Sequence, residues 1–323
     1  MTPHKLVITG AGHVGSAVLT DAMKMGLFGE IAVIDTAPGV AYGEALDQYQ
    51  AIGALTLTNV NVHEGTTADY TDADVVIVAA GPSMLPDPND PTGKPDRAIL
   101  AKVNSETIRQ VMGDITAHTQ TAAVIIITNP VDTLVWIAQN EFEYPEHLVW
   151  GTGTCLDSAR LRRRVADHVG IAPASVAGFM GGEHGMAAFP ILSHLTAGAV
   201  ATADLPTTYG VDPLDPAEVG QAVVDAAYAV FNGKGWTNAG VAQAALSMAR
   251  SYLLDEKTVF PGSTTLRAEW GHDGDVAMSF PLAIGAAGVE KRLPLTLNAW
   301  EEEAKERAAI AIQSAMTDAD CNY

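Results

Sequence analysis

Gly10-Ala11-Gly12-His13-Val14-Gly15 follows directly on the apolar run Lys5 to Thr9 and opens a stretch with helical periodicity, Gly15 to Met25. Three glycines at that spacing, between a strand and a helix, leave the chain few ways to begin. They permit a tight turn, close backbone approach to a ligand, and close packing of the helix on the strand. The helix amino terminus formed in this way offers free N–H groups to anionic oxygens such as those of a pyrophosphate. His13, inside the motif, is read as a helix-start residue rather than a catalyst.

Twenty residues after Gly15, at the end of the apolar run Ile31 to Asp35, stands an aspartate. A carboxylate there accepts hydrogen bonds from the adenosine ribose hydroxyls and repels a 2′-phosphate, so Asp35 predicts NAD rather than NADP. Further β-branched runs at Asp74 to Ala79, Ala123 to Thr128 and Leu148 to Trp150 read as buried parallel strands. Helical patterns at Pro38 to Gln50 and Arg97 to Met112 separate them. The expected fold class is α/β: a Rossmann-type doubly wound parallel sheet over residues 1–150, followed by an α+β substrate domain over 151–323. In the second part the rhythm lengthens into helices at Asp157 to Val169, Ala217 to Phe231, Thr237 to Leu254 and Leu297 to Thr317.

Two segments read as irregular. Gly81 to Asp96 carries Pro86, Pro88, Pro91 and Pro95, so no helix runs through it, and loops of that length in a compact domain are lids, binding loops or disordered segments. Ala201 to Asp215, with Pro206 and Pro213, reads as a surface connection.

Composition narrows the partners. Eighteen Lys and Arg against 38 Asp and Glu give a net charge of −20 with histidine neutral. A chain so acidic lacks the positive field that nucleic acid or an anionic membrane surface requires. Cys155 and Cys321 form no CxxC pair and build no disulfide framework, and no metal site is expected. The amino-terminal residues lack the apolar region of a secretory signal, and the apolar stretch Met186 to Ala203 is broken by Pro190, so the expected location is cytoplasmic.

The scarce cations are unevenly placed. None occurs from Met25 to Gly93 or from Val165 to Gly233, whereas Lys94 and Arg97 end the proline-rich loop and Arg160, Arg162, Arg163 and Arg164 cluster on one helix. A guanidinium suits bidentate capture of a carboxylate. Asp157 and Arg160, three apart, share a helix face and on their own would be an ordinary ion pair. Gly182-Glu183-His184-Gly185 holds a histidine between glycines, and Asn129-Pro130 ends a strand on the edge where open α/β sheets bind ligands.

Taken together, these segments resemble the L-lactate/L-malate dehydrogenase family over nearly the whole chain. The resemblance rests on GAGHVG at 10–15, R-x-x-L-x-x-x-N at Arg97, Leu100 and Asn104, and TNPVD at 128–132. It continues through GTGTCLDSAR at 151–160, GGEHG at 181–185 and NGKGWTNAGVA at 232–242. The NDPTG segment before Arg97 and the NGKG segment are most similar to the L-2-hydroxyisocaproate dehydrogenase branch.

The resemblance implies reversible hydride transfer between NADH and a 2-oxo acid. It makes His184 the acid/base, Asp157 its orienting carboxylate, and Arg97 a loop residue that polarises the carbonyl. Arg160 and Asn129 would bind substrate, with Met84, Leu85 and Thr237 lining its side chain. Gly10, Gly12, Val14, Gly15, Asp35, Gly81, Asn104, Asn129 and Val241 would bind NAD. A homo-oligomer, a tetramer by resemblance, is implied as well. Malate enzymes of the family carry an arginine in the loop where this chain has Ser83-Met84-Leu85 and no cation before Lys94, so oxaloacetate is disfavoured. Aliphatic or larger 2-oxo acids are the expected substrates, with pyruvate, and hence L-lactate dehydrogenase, as the alternative. A silent NAD-binding protein that keeps the fold is the remote third reading. Ala177 stands where sugar-bisphosphate-activated relatives have a histidine, so Arg162 alone does not imply activation; separately, Met186 replaces the acid that lactate enzymes carry after GEHG, which departs from their bracing of the catalytic loop.

Overall fold

A computed structural model describes residues 4–54, 59–83 and 97–322 of the 323-residue chain. The first half alternates as the sequence predicts: β1 (His4–Thr9), α1 (His13–Met25), β2 (Phe28–Ile34), α2 (Val40–Ala51), β3 (Asn61–Glu64) and β4 (Val75–Val78). It continues with α3 (Arg97–His118), β5 (Ala123–Ile126), α4 (Val131–Asn140) and β6 (Val149–Gly151). These six strands are parallel in the order β3-β2-β1-β4-β5-β6. The order reverses between β1 and β4, the switch point outside whose carboxyl ends doubly wound sheets bind ligands.

Alternation along each strand builds two cores. Val7, Val76, Val124 and Ile126 face α3 and α4, while Leu6, Ile8, Ile77 and Ile125 face α1. Strands buried on both faces have no polar side to display, which is why they read as unbroken β-branched runs. α1 ends at Gly26 in the left-handed conformation, a common helix stop.

The second half begins with α5 (Cys155–Val169) and the short strands β7 (Val176–Ala177), β8 (Met180–Gly182), β9 (Ala188–Pro190), β10 (Thr196–Ala197) and β11 (Val200–Ala201). α6 (Leu205–Tyr209), α7 (Pro216–Lys234) and α8 (Ala239–Leu253) follow. The chain closes with β12 (Thr258–Arg267), β13 (Asp273–Gly285), β14 (Gly288–Arg292) and α9 (Ala299–Asp318). The second half does not form a detached sheet. β12 pairs antiparallel with β6 through Ser263 and Gly151, so the parallel sheet runs on through β12, β13, β8 and β9.

Local chemistry sets the helix starts. Asp215 accepts hydrogen bonds from the N–H groups of Ala217 and Glu218 with Pro216 in the first turn, and Asn298 with Glu301 forms a reciprocal cap on α9. Several expectations need adjustment. α3 extends to His118 rather than Met112, and α4, unpredicted, starts straight after Pro130. The 201–215 segment contains α6, because Leu205 is buried and Pro206 falls in the first turn, where proline is tolerated.

Candidate active site

The glycine loop is built by steric necessity. A Cβ on Gly10, at φ +95°, would lie 2.5 Å from the backbone N of Ala80, and one on Gly15 would lie 1.8 Å from the carbonyl oxygen of Gly10. α1 therefore packs directly against the turn that precedes it. Gly12 differs, since a Cβ there meets nothing within 4 Å. It precedes α1 without a side-chain cap, leaving first-turn N–H groups and open space together. Asp35 closes the loop from β2: its carboxylate accepts the N–H of Ala11 at 2.7 Å and of Ala37 at 2.8 Å. Loop, helix terminus and aspartate fit a dinucleotide pyrophosphate and its ribose. Val14 on α1 and Val241 on α8 are half-buried against the same core, and Thr237 is half-buried in the turn before α8.

Asn104 is wholly buried on α3, and its amide donates to the carbonyls of Pro82 at 3.0 Å and Asn129 at 2.6 Å. It ties the ends of β4 and β5 together beneath Gly81, leaving itself no surface to offer a ligand. Asn129 is exposed at that edge, before a cis bond to Pro130. The backbone of Arg97 opens α3; its side chain, together with Met84, Leu85 and Lys94, lies outside the described residues.

On the other side of the edge, His184 converges on Asp157 and Arg160, which share one turn of α5. Asp157 lies in the first turn of α5, where a carboxylate favours the helix dipole. One of its oxygens accepts Nη1 of Arg160 at 2.8 Å, and the other meets Nδ1 of His184 at 2.6 Å. Burial alone pushes the Asp157 carboxyl up, but the His184 imidazole and the Arg160 guanidinium outweigh it and hold the group below its ordinary range. Burial alone pulls the His184 imidazole down, yet Asp157, with Asp132 behind it, lifts it to about 9. The His184 side chain keeps 23 % of its surface exposed, so the pair is sheltered on one side and open on the other.

Behind the histidine stands a carboxylate that sequence reasoning passed over. Asp132, in the first turn of α4, accepts the backbone N–H of His184 at 2.7 Å and the Ser263 hydroxyl at 2.5 Å. Burial pushes its carboxyl up to about 6 against those two hydrogen bonds. Only its place in TNPVD hinted at it. Glu183 accepts the N–H of Ala187 at 2.9 Å, bracing the turn after His184, and Met186 beyond it is exposed.

Among the described residues, Glu30, His63 and Asp69 group closely enough to hold a cation. That space is taken by the ammonium of Lys5, 2.9 Å from Glu30, 3.1 Å from Asp69 and 2.6 Å from Asp72. Among the described residues no helix is long and apolar enough to cross a membrane.

Comparison with known proteins bears on these features. Residues 4–151 match the model of the lactate/malate dehydrogenase NAD binding domain, and 154–320 match that of the lactate/malate dehydrogenase alpha/beta C-terminal domain. An L-lactate dehydrogenase of Selenomonas ruminantium is 37% identical over 316 residues, covering 98% of each chain. L-lactate dehydrogenase 2 of Clostridium acetobutylicum is 35% identical over 320 residues, covering 99% of this chain and 98% of its own. The crystal structure of the minor L-lactate dehydrogenase from Enterococcus mundtii in its ligands-bound form superposes with a TM-score of 0.90 at 28% identity, covering 98% of each chain. NAD is the cofactor of the fold. With its glycine loop, its Asp157–His184 pair and both domain models matched in order, the chain belongs to the lactate/malate dehydrogenase family.

Proposed function

We propose that the protein is an NAD-dependent L-lactate dehydrogenase that interconverts pyruvate and L-lactate. The observation that carries this reading is the single buried carboxylate of Asp157 joining an imidazole to a guanidinium at the ligand-binding edge of the sheet. The full-length relatives at 35–37% identity, all L-lactate dehydrogenases, favour pyruvate over the 2-hydroxyisocaproate-like substrate expected from the sequence.

When bound, the reduced coenzyme NADH would supply the hydride for reduction and the oxidised form NAD+ would accept it in the reverse direction. His184 directs Nδ1 to Asp157, so Nε2 is the atom that delivers a proton to the substrate carbonyl oxygen and recovers it in reverse. Asp157 fixes the ring and stabilises its charged form. Arg160 uses one N–H on Asp157 and the rest of its fork on the substrate carboxylate. Arg97, by the family resemblance, polarises the carbonyl. Asn129 orients the nicotinamide ribose or the substrate oxygen, Thr237 walls the substrate, and Val241 backs the nicotinamide ring. Asn104, whose amide nitrogen donates to the carbonyls of Pro82 and Asn129 while its buried Oδ1 has no partner, serves the coenzyme edge by positioning those segments. Residues 1–150 form the coenzyme domain and 151–323 the substrate domain, with Arg97 and Asn129 reaching from the first to the substrate and Val241 from the second to the coenzyme. Exposed Tyr42 and Tyr49 on α2 and Tyr228 on α7 are surface that a homo-oligomer would cover, and sedimentation velocity tests that.

The second reading, branched-chain 2-oxo acids, rests on Met84 and Leu85 in a loop with no cation before Lys94. One panel decides: NADH oxidation with pyruvate, 4-methyl-2-oxopentanoate and oxaloacetate, repeated with NADPH. The highest kcat/KM is expected with pyruvate and NADH. A maximum on 4-methyl-2-oxopentanoate moves the assignment to the second reading, and a maximum on oxaloacetate overturns both. His184→Ala is expected to cut kcat by a factor of about 10² or more; turnover like that of the unaltered enzyme removes its role.

A further inference from the structure

The roles assigned above leave His13, Trp236 and Lys234 unused, yet these residues are organised around the glycine loop. The His13 imidazole, on the first residue of α1, stacks on the Trp236 indole with ring centres 3.8 Å apart and planes 9° from parallel. Trp236 belongs to the turn between α7 and α8, so the stack joins the two halves of the chain. Asn238 adds a second tie, its side-chain amide donating to the carbonyl of His13 at 3.3 Å. Its side-chain oxygen accepts the N–H of Ala239 at 2.9 Å, capping α8, and the Lys234 ammonium at 2.6 Å. Lys234 in turn lies 5.9 Å from the centre of the Trp236 ring. A cavity of about 570 Å³ opens between this turn and α1, lined by Gly12, His13, Ser16, Asp21, Trp236 and Asn238.

A glycine-rich turn is entropically costly to hold in one shape, because glycine has more conformations to lose than any other residue. Here the residue that stacks lies directly after Gly12 and two before Gly15, inside the glycine motif, and the first-turn N–H groups of α1 have no side-chain cap. Whatever holds His13 in place also aims those N–H groups. Fixing a site before the ligand arrives raises affinity by removing the ordering cost from the binding step.

We infer that Trp236 is a coenzyme-positioning residue: by stacking on His13 it holds the first turn of α1 in the orientation that receives the dinucleotide pyrophosphate. The inference rests on NAD as the coenzyme and deepens that assignment. Trp236 acts through His13 and need not touch the reacting atoms.

The test is calorimetric titration of NADH into the intact enzyme and into Trp236→Ala, Trp236→Phe, His13→Ala and the double alanine variant. Trp236→Ala and His13→Ala are each expected to raise the NADH Kd about three- to tenfold, the range an aromatic pair supports. Trp236→Phe, which keeps a ring, recovers most of the loss. The double variant binds no more weakly than either single one, because one stack is removed only once. The KM for NADH rises in parallel, with a smaller change in kcat. Kd values within twofold of the unaltered enzyme in both single variants overturn the inference, as does full additivity in the double variant. His13→Ala changes an exposed side chain and keeps the test valid if Trp236→Ala folds poorly. If the unaltered chain itself binds no NADH, the coenzyme assignment fails first, which separates the two failures.

Discussion

Nδ1 of His184 lies 2.6 Å from Oδ2 of Asp157, a carboxylate held below its ordinary range and buried on α5. The pair keeps the imidazolium present to about pH 9. Under the role proposed for His184, reduction consumes that imidazolium, so its rate is expected to fall as pH rises through about 9, while oxidation of the hydroxy acid, which needs the neutral ring, is expected to rise over the same interval. Asp157→Asn removes the anion, moves the limb down toward the ordinary histidine value of about 6.5, and lowers kcat by about 10². The pH–rate profile measures both, and an unmoved limb assigns the titration to another group. The stability contributed by the raised imidazole is fully present below about pH 6.5 and is lost as pH rises through about 9.

Arg160→Lys keeps the charge and the partner Asp157 but loses the planar fork. The KM for pyruvate is expected to rise about ten- to a hundredfold, the loss of a charge-assisted bidentate contact. Steady-state kinetics decides, and an unchanged KM leaves Arg160 as an ion-pair partner only.

Asp132 reaches His184 through the backbone N–H rather than the ring. Asp132→Asn removes a second anion, so the alkaline limb of reduction moves down, by less than in Asp157→Asn. The wild-type carboxyl, raised to about 6 by burial, favours the fold most below its unfolded value and loses that contribution as pH rises through about 6. Thermal unfolding at pH 5 and pH 7 is expected to show this loss in the wild type and not in the asparagine variant.

Two glycine substitutions separate folding from coenzyme space. Gly15→Ala drives a methyl group to 1.8 Å from the Gly10 carbonyl oxygen, so the backbone must move, with an expected loss of about 2–4 kcal/mol in denaturant unfolding. Gly12→Ala meets no protein atom within 4 Å and is expected to unfold like the wild type while binding NADH more weakly. Equal stability of the two variants contradicts this division of roles.

The legible parts of the molecule are those whose cause is local. The glycine loop, Asp35 and the buried strands each follow from spacing over a few residues. Asp157 and Arg160 share a helix turn, so their pairing is readable, and the resemblance supplied His184. Asp132 and Ser263 were not readable, because their contact spans 131 residues and exists only after β12 joins β6. α4 was missed because Asn129-Pro130 carries the signature of a turn, and a helix that begins immediately after a proline shows the same signature. Asn104 matched a motif, but only the packing of α3 under the sheet edge shows its amide to be used internally.

The seam where β6 meets β12 links mechanics to acidity. A methyl group on Gly151 would come within 2.8 Å of both Val131 and Val135 and 3.2 Å of the Cβ of Ser263. Val131 precedes Asp132 on α4, and Ser263 is the hydroxyl that Asp132 accepts. Crowding at this nonpolar point therefore presses on the neighbours of both partners in the Ser263–Asp132 hydrogen bond, one of the two that steady the carboxylate behind His184. An uncharged substitution at Gly151 is therefore expected to disturb the carboxylate whose field helps to raise the His184 imidazole, so packing between the two halves of the chain and the electrostatics around that ring share one point.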